Sequence, residues 1–355
     1  MIYRHENVPI QTSNYFKTCW IKIDAESNIT EQRSDTNFVY SNTESAIAGF
    51  LYGLESFFGA ILNILVIIVL LRCAKLRKEY LSPCIISVAF NNYIYCMYPL
   101  LVQSLQFFIG DKPLPQILLG CQLYGFVTYS LWLCSAWTLL GVAILRCVKV
   151  YFPRESKRNF FRRICKLMSV LAWVISFTSL LPTFVGKYGQ FGFRCKTFAC
   201  SFIATNVDGS HTNLDPKIVY GITVVTLGIL MIIANVATYL KLLKITNNIL
   251  KEMTDVTSNE DPLEKSISKR KEKLEKERSF GRMIGTMTLT FLLVYVLMVV
   301  LFISVPNPSH LGSLACLLIA ASIVILNPLV YIISQERYRV EIQKLLKSIY
   351  LLKLK

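Results

Sequence analysis

Long apolar runs dominate this chain, and they restrict it to a fold whose helices lie in a lipid bilayer. Seven runs each hold about 20 residues or more, which is the length that an α-helix needs to cross the hydrocarbon core. Lipid offers no partners to backbone amides, so each run must satisfy its own hydrogen bonds as a helix. We therefore expect an all-α membrane protein, a seven-transmembrane helix bundle. The predicted spans cover about residues 46–71, 81–108, 119–150, 164–184, 217–243, 281–304 and 311–333.

The distribution of charge supports this fold and gives its orientation. Only 17% of the residues are charged, whereas soluble domains carry about 25%. Most of the 38 lysines and arginines lie in four connections, 72–82, 146–166, 241–282 and 335–355. Such an excess marks cytoplasmic loops, so we place the C-terminus inside the cell and the N-terminus outside, in the plasma membrane. The formal charge of +16 then faces anionic lipid and not nucleic acid.

This orientation divides the chain into three regions. Residues 1–45 form an extracellular tail, in which Asn28 stands in the sequon Asn-Ile-Thr and is a predicted glycosylation site. Residues 46–334 form the transmembrane domain, with a third intracellular loop at about 244–280. In residues 335–355, apolar side chains recur at helical spacing among lysines and arginines, which predicts a cytoplasmic amphipathic helix and tail.

The eleven cysteines do not indicate a small disulfide-stabilised domain. Seven lie in or beside apolar spans, where cysteine packs as a small hydrophobic side chain. Four lie outside the hydrocarbon and could be oxidised, but the sequence does not give their pairing. Without a C-x-x-C pair or a histidine cluster, we expect no metal site, and the apolar composition gives no indication of an enzyme or of a cofactor. The seven are Cys73, Cys84, Cys96, Cys134, Cys147, Cys165 and Cys316, and the four are Cys19, Cys121, Cys195 and Cys200.

Polar residues inside apolar spans are costly and usually functional, and here they stand at a characteristic spacing. Arg146 follows Cys121 by twenty-five residues, and the seventh span ends in Asn327-Pro328-Leu-Val-Tyr331. This register resembles that of rhodopsin-like (class A) G-protein-coupled receptors from residue 55 to residue 340. The other matching positions are Asn63, Val66, Asn92, Pro153, Trp173 and Tyr338.

The resemblance implies a receptor that activates a heterotrimeric G protein when its sixth helix swings outward. The family's Asp and Tyr beside the arginine are replaced here by Leu145 and Cys147. Glu277 resembles the sixth-helix glutamate that pairs with this arginine in rhodopsin, so we predict a resting ion pair between Arg146 and Glu277. The alternatives are an Arg146 that extends to lipid headgroups and a Glu277 that is merely solvated. The implied coupling and switch residues are Arg146, Glu277, Asn327, Pro328, Tyr331 and Tyr239.

A second resemblance concerns the loop between the fourth and fifth spans. Residues 187–201 read Lys-Tyr-Gly-Gln-Phe-Gly-Phe-Arg-Cys-Lys-Thr-Phe-Ala-Cys-Ser. They are similar to the second extracellular loop of the insect moody and trapped-in-endoderm orphan receptors, and more distantly to that of melatonin receptors. The resemblance implies a disulfide between Cys121 and Cys200. Cys195 is an additional cysteine, for which Cys19 is a candidate partner.

The positions that line the family's outer pocket carry aromatic, apolar and amide side chains in this chain. Thr128 replaces the aspartate that anchors amines, and Ala321 replaces the lysine that binds retinal. We therefore expect a neutral or lipid-like extracellular ligand, with no amine held by a salt bridge. The predicted pocket residues are Gln103, Gln106, Thr128, Tyr129, Trp132, Tyr295, Met298, Phe302 and Ser313.

Other departures concern an internal ion and the shapes of two helices. Asn92 replaces the acid of the family's sodium site, although Ser135 and Asn327 remain. A neutral amide does not offset the lost hydration of a cation, so we expect weak or absent sodium modulation. Met231 and Leu297 replace prolines, which predicts a straighter fifth and sixth helix.

Two other functions stay open at this stage. One is a seven-helix transporter or channel, although the spans show neither repeated halves nor, essentially, membrane-embedded charges. The other is a receptor-shaped scaffold that does not signal.

Overall fold

The computed structural model describes residues 40–109, 120–152, 158–194, 199–204, 210, 214–255, 275, 281–294 and 310–353. Within these ranges, six helices are long and apolar enough to cross a membrane, and a shorter apolar helix occupies the sixth predicted span. The predicted seven-helix bundle is confirmed. The helices are α1 (Asn42–Arg72), α2 (Ser82–Ile109), α3 (Gly120–Tyr151), α4 (Arg158–Phe184), α5 (Pro216–Asp255), α6 (Gly281–Val294), α7 (His310–Ala321 and Ile323–Ser334) and α8 (Glu336–Lys353), with a single helical turn at Ala74–Arg77.

Helices α1, α4 and α5 extend beyond their predicted spans, and contacts at one end of α1 and of α5 account for the extension of those two. α1 begins at Asn42, where the Ser41 hydroxyl accepts from the backbone N–H of Glu44 and the Glu44 carboxylate accepts from the backbone N–H of Ser41. This capping box satisfies free donors of the first turn. α5 continues past residue 243 to Asp255, and Ile249 on this extension packs against Val150 at the inner end of α3. The inner end of α5 therefore lies beside α3.

A change of helical pitch in α2 accommodates a proline. Residues Cys96–Leu100 form a π-helical turn that contains Pro99. Proline lacks an N–H and its ring collides with the carbonyl one turn earlier, so a wider turn relieves the conflict. The hydroxyl of Tyr124 on α3 donates to the Pro99 carbonyl at 3.2 Å. α5, in contrast, runs without interruption through Met231, where the family has a proline.

An antiparallel hairpin lies over the N-terminal end of α3, which we predict to be extracellular. Its strands are β1 (Gln190–Arg194) and β2 (Ala199–Ile203), with Phe193 opposite Cys200. Phe191 of β1 is buried against Gly125 of α3, whose missing side chain leaves the space that the ring occupies. The hairpin is thereby fixed to the bundle by packing as well as by the covalent link described below.

The surface of the bundle is apolar where lipid would cover it. The side chains of Phe57 on α1 and Ile222 on α5 are each 60% exposed, although both are large and hydrophobic. In water such a surface would be a site of association, whereas in lipid it is ordinary. The polar side chains that could have a function are therefore found in the interior of the bundle, among the helix contacts.

The contact between Gly125 and Phe191 gives a prediction about stability. A Cβ at residue 125 would lie 2.5 Å from the Phe191 ring, which is buried and packs against the rings of Tyr129 and Phe202. We expect Gly125→Ala to lower the stability of the folded bundle by about 1–3 kcal/mol, the usual cost of overpacking. The measurement is the melting temperature of the purified protein in detergent. Gly285→Ala on α6 is the control, because a Cβ there meets nothing within 4 Å; equal melting temperatures for the two variants would contradict the prediction.

Candidate functional site

Arg146 lies near the C-terminal end of α3, which we predict to be cytoplasmic, and is almost completely buried, with 3% of its surface exposed. Its Nη1 donates a long hydrogen bond, 3.5 Å, to the backbone carbonyl of Gly281 at the start of α6. A cation that is buried to this degree needs partners inside the protein. The alternative that Arg146 extends to the lipid headgroups is therefore wrong, because its side chain reaches across the bundle to α6.

Gly281 makes this approach possible. A Cβ at this residue would lie 2.7 Å from Nη2 of Arg146, which is closer than real Cβ contacts come. The close passage of the guanidinium thus depends on a residue without a side chain. Glu277 precedes Gly281 by one helical turn in the sequence, but it lies outside the described residues. Its ion pair with Arg146 stays a prediction.

The Asn327–Tyr331 segment of α7 has its polar side chains buried in the bundle. Asn327 and Tyr331 are each 2% exposed or less. The Tyr331 ring stacks on Tyr338 of α8, with ring centroids 6.3 Å apart, and burial raises the pKa of the Tyr338 phenol, which therefore stays neutral. Tyr239, the remaining predicted switch residue, is 62% exposed on α5. In this arrangement Tyr239 does not join the buried group.

Buried polar side chains join the helices of the bundle to one another. The Asn63 amide on α1 donates to the carbonyls of Gly59 and of Val324 on α7, each at 2.8 Å. The Trp173 indole on α4 donates to the Ser87 hydroxyl on α2 at 3.0 Å. Each bond satisfies a donor that would otherwise lie unpaired among apolar side chains, and the bonds to Val324 and to Ser87 each join two helices.

A cavity of about 20 Å³ lies between α2, α3, α6 and α7, and its lining includes Asn92, Ser135 and Asn327, the positions for which the sequence raised a sodium site. It is lined by Asn91, Asn92, Ser135 and Asn327 together with apolar side chains. The sequence singled out Asn92, yet the amide that contacts Ser135 is that of Asn91, which donates to its hydroxyl at 2.7 Å and to the Leu131 carbonyl at 2.8 Å. Asn91 and Asn92 are adjacent in the sequence, but only the orientation of α2 in the structure shows that the amide of Asn91 faces α3.

The residues of this cavity do not fit a sodium ion. Its described polar lining is the amides of Asn91, Asn92 and Asn327, the hydroxyls of Ser135 and Tyr95 and the indole of Trp132, with no carboxylate to offset the hydration that a cation would lose. Three buried atoms, Asn91 Oδ1, Asn92 Nδ2 and Asn327 Oδ1, have no hydrogen-bond partner in the described protein. A volume above about 15 Å³ with two or more such partners suits a water molecule. The lining therefore suits a small neutral polar molecule such as water.

The outer part of the bundle is filled by a cluster of aromatic rings. The centroid of the Tyr129 ring lies 4.4 Å from that of Phe202, 5.3 Å from that of Tyr220 and 5.8 Å from that of Phe191. The Tyr129 hydroxyl lies 3.0 Å from the hydroxyl of Ser201. The hairpin thus supplies walls of the predicted pocket that the sequence did not indicate. The sequence shows closely spaced phenylalanines in residues 187–201, but their contact with α3 depends on the fold of the hairpin.

The other predicted pocket residues are distributed as follows. Trp132 lies beside Tyr95, with centroids 6.2 Å apart, and Gln103 contacts the Tyr124 hydroxyl at 3.2 Å. Thr128 donates to the carbonyl of Tyr124 in its own helix, and Gln106 is fully buried. Other predicted positions lie outside the described residues, and of Ser313 only the helical backbone is described. Those outside are Cys19, Asn28, Pro153, Cys195, Glu277, Tyr295, Leu297, Met298 and Phe302.

Two cysteine pairs are bonded within the described part of the chain. The predicted pair, Cys121 and Cys200, is confirmed and joins the outer end of α3 to β2. A second pair, Cys84 and Cys165, joins α2 to α4, with Cα atoms 5.9 Å apart. We predicted that both cysteines pack as small unpaired hydrophobic side chains, and that prediction is wrong because the two are bonded to each other. Sequence did not reveal the pair, because the two residues come together only through the packing of α2 on α4.

Comparisons with known proteins agree with this architecture. A family model described as 7 transmembrane receptor (rhodopsin family) matches residues 62–331. Protein trapped in endoderm-1 of Drosophila melanogaster is 20% identical over 180 residues, 51% of this chain and 45% of that protein. The G-protein coupled receptor moody of the same organism is 28% identical over 172 residues, 48% of this chain and 24% of that protein. This chain thus spans less than half the length of either relative.

A solved structure gives the same fold. The crystal structure of squid rhodopsin matches with a TM-score of 0.70 at 16% identity, over 89% of each chain. Together with the apolar helices described above, the match identifies a multi-pass membrane protein.

The amide-lined cavity gives a prediction about sodium. Exchanging potassium chloride for sodium chloride at equal ionic strength should leave the melting temperature of the wild-type protein unchanged, because no carboxylate lines the cavity. Asn92→Asp supplies one, so we expect sodium to raise the melting temperature of that variant by a few degrees. A sodium-dependent shift of that size in the wild-type protein would contradict the account.

Proposed function

Because the chain belongs to the rhodopsin family of seven-transmembrane receptors, we propose that it carries an extracellular signal across the plasma membrane to a heterotrimeric G protein. The observation that carries the proposal is the contact between Arg146 and α6. A buried guanidinium that spans from α3 to α6 resists separation of the two inner helix ends. When a ligand favours the separated arrangement, the same guanidinium becomes available to a partner on the cytoplasmic side.

The absence of the family's Asp and Tyr beside Arg146 concentrates this restraint on α6. Leu145 contributes no charge, so the partners of Arg146 must come from other helices. In this proposal the Gly281 carbonyl and the Glu277 carboxylate share that role. A charge-assisted hydrogen bond contributes about 1.5–3 kcal/mol, which is enough to change the resting population of a two-state receptor by a factor of ten or more.

The orientation and the ligand belong to the same proposal. The concentration of lysine and arginine in alternate loops supports a cytoplasmic C-terminus and an extracellular N-terminus that carries the Asn28 sequon. The aromatic cluster around Tyr129 supports a ligand with an apolar body, in keeping with the expected neutral or lipid-like molecule. The hairpin would then be part of the binding site and not merely its cover.

The test is guanine-nucleotide exchange on a panel of purified G proteins. We expect the wild-type protein in vesicles to accelerate exchange on at least one of them, and Arg146→Ala to abolish that acceleration at equal surface expression. Lys149→Ala, which removes a nearby cation at the inner end of α3, is the control and should keep most of the activity. Equal exchange in wild type and Arg146→Ala would favour a transporter, a channel or a scaffold that does not signal.

The space at Gly281 gives a second prediction. Gly281→Ala should displace the guanidinium of Arg146, because the new methyl group would occupy its position. Losing about 1 kcal/mol of resting restraint corresponds to a roughly five-fold change in the equilibrium, so basal nucleotide exchange should rise several-fold. Gly285→Ala, one turn further along α6, should leave basal exchange unchanged. A similar rise in both variants would show that the effect comes from α6 itself and not from Arg146.

A further inference from the structure

A hydrogen bond between two side chains joins α5 to α6. The Asn235 amide on α5 donates to the Thr288 hydroxyl on α6 at 3.2 Å. The same amide nitrogen donates to the Met231 carbonyl of its own helix at 2.9 Å, so both of its N–H groups are used. Thr288 is buried, with 3% of its surface exposed. The bond therefore lies within the contact of two helices whose relative position the proposed switch changes.

Neighbouring threonines on these two helices form bonds of a different kind. The hydroxyls of Thr238 on α5 and of Thr290 on α6 each donate to the carbonyl four residues earlier in their own helix. Such a bond satisfies the hydroxyl locally and places no demand on another helix. Thr288 accepts a bond from a different helix, so its hydroxyl bears on where α6 lies.

Apolar packing continues along the two helices from this bond to the contact of Arg146. Leu242, seven residues after Asn235 on α5, has its Cδ1 3.9 Å from the place where a Cβ of Gly281 would lie. Gly281, seven residues before Thr288 on α6, accepts the hydrogen bond from Arg146. The Asn235–Thr288 bond and the guanidinium thus act on one segment of α6, about two helical turns apart.

α5 is itself attached to α3 near both of its ends. The Tyr220 hydroxyl donates to the Tyr129 carbonyl of α3 at 3.3 Å, and Ile249 packs with Val150 at the other end. Between these contacts α5 runs as one continuous helix. An α6 that is held to α5 is therefore also held to α3, by a route that does not depend on Arg146.

The hydrogen bond distinguishes joined helices from separated ones better than the apolar contacts beside it. When apolar side chains of α5 and α6 separate, lipid tails replace one apolar surface by another. When Asn235 and Thr288 separate, an amide N–H and a hydroxyl oxygen lose their partners at a depth where lipid offers none. The free-energy difference between the two arrangements therefore depends on this bond more than on the packing around it.

We propose that Asn235 and Thr288 are positioning residues of the switch, which hold α6 against α5 in the resting protein; this inference rests on the signalling function proposed above. Their bond adds to the restraint from Arg146 but acts from a different helix. α5 also carries Tyr220 of the outer aromatic cluster. A ligand that moves this cluster changes the position of Asn235 through one continuous helix, and the change reaches α6 without passing through the amide-lined cavity.

The experiment removes the hydrogen bond and keeps the size of the side chain. Thr288→Val replaces the hydroxyl by a methyl group, and Asn235→Leu removes the amide. We expect each variant to raise basal nucleotide exchange about three-fold, the change in equilibrium that an average interhelical hydrogen bond gives in a membrane protein. Thr288→Ser keeps the hydroxyl and should restore the wild-type rate. Thr290→Val is the matched control, because the same change there affects a bond within α6.

A second readout uses the purified full chain in nanodiscs, without G protein. Hydrogen–deuterium exchange is followed in peptides that cover residues 281–294. We expect faster uptake in Thr288→Val and Asn235→Leu than in wild type, Thr288→Ser and Thr290→Val, with uptake in α1 unchanged throughout. A general loss of stability would raise uptake in α1 as well. The double variant should match either single variant, because both substitutions remove the same bond.

Four results would overturn the inference: wild-type values in Thr288→Val and Asn235→Leu, an equal increase in Thr290→Val, increases that add in the double variant, or uptake that rises in α1 as much as in α6. If Thr288→Val does not fold, Asn235→Leu breaks the same bond from α5 and carries the same expectations. If wild type accelerates exchange on no G protein, the proposed signalling fails, whereas deuterium uptake still decides whether this bond holds α6 against α5.

Discussion

A polar group inside this bundle is costly unless it is paired within the protein, because lipid provides no hydrogen-bond partner. That constraint explains why so few polar side chains occur in the spans and why each has a structural consequence. Asn63 joins α1 to α7, Asn91 joins α2 to α3, and Trp173 joins α4 to α2. Arg146 is the extreme case, since it carries a full charge and is buried at the inner end of α3. The arrangement of the inner helix ends follows from where its guanidinium is satisfied.

The same constraint connects the outer and inner halves of the protein. The aromatic cluster at Tyr129 is followed inward by Trp132 and Tyr95, then by the amide-lined cavity, and finally by Tyr331. The cavity contains amide atoms without protein partners, and such atoms can change partners at small cost compared with those in a closed network. A ligand that shifts Tyr95 or Trp132 would therefore act first on the least satisfied part of the interior. In the proposed function, this is the route from the extracellular side to Arg146.

The sequence predicted well those features that depend on local composition or on spacing along one helix. Apolar run length gave the spans, and the distance from Cys121 to Arg146 indicated the inner arginine and, by resemblance, the disulfide. It predicted poorly those features that depend on the rotation of one helix against another. Asn91 and not Asn92 faces Ser135, and Cys84 meets Cys165, because of packing that no single segment encodes.

The central claim is that α6 restrains Arg146 in the resting protein and that Glu277 supplies the charge for this restraint. The most direct measurement is basal nucleotide exchange, without ligand, for Glu277→Gln and for Glu275→Gln at equal surface expression. Glu275 is exposed on the same charged segment, so its variant controls for the loss of a negative charge. The account predicts that Glu277→Gln raises basal exchange several-fold while Glu275→Gln does not. Unchanged basal exchange in Glu277→Gln would contradict it.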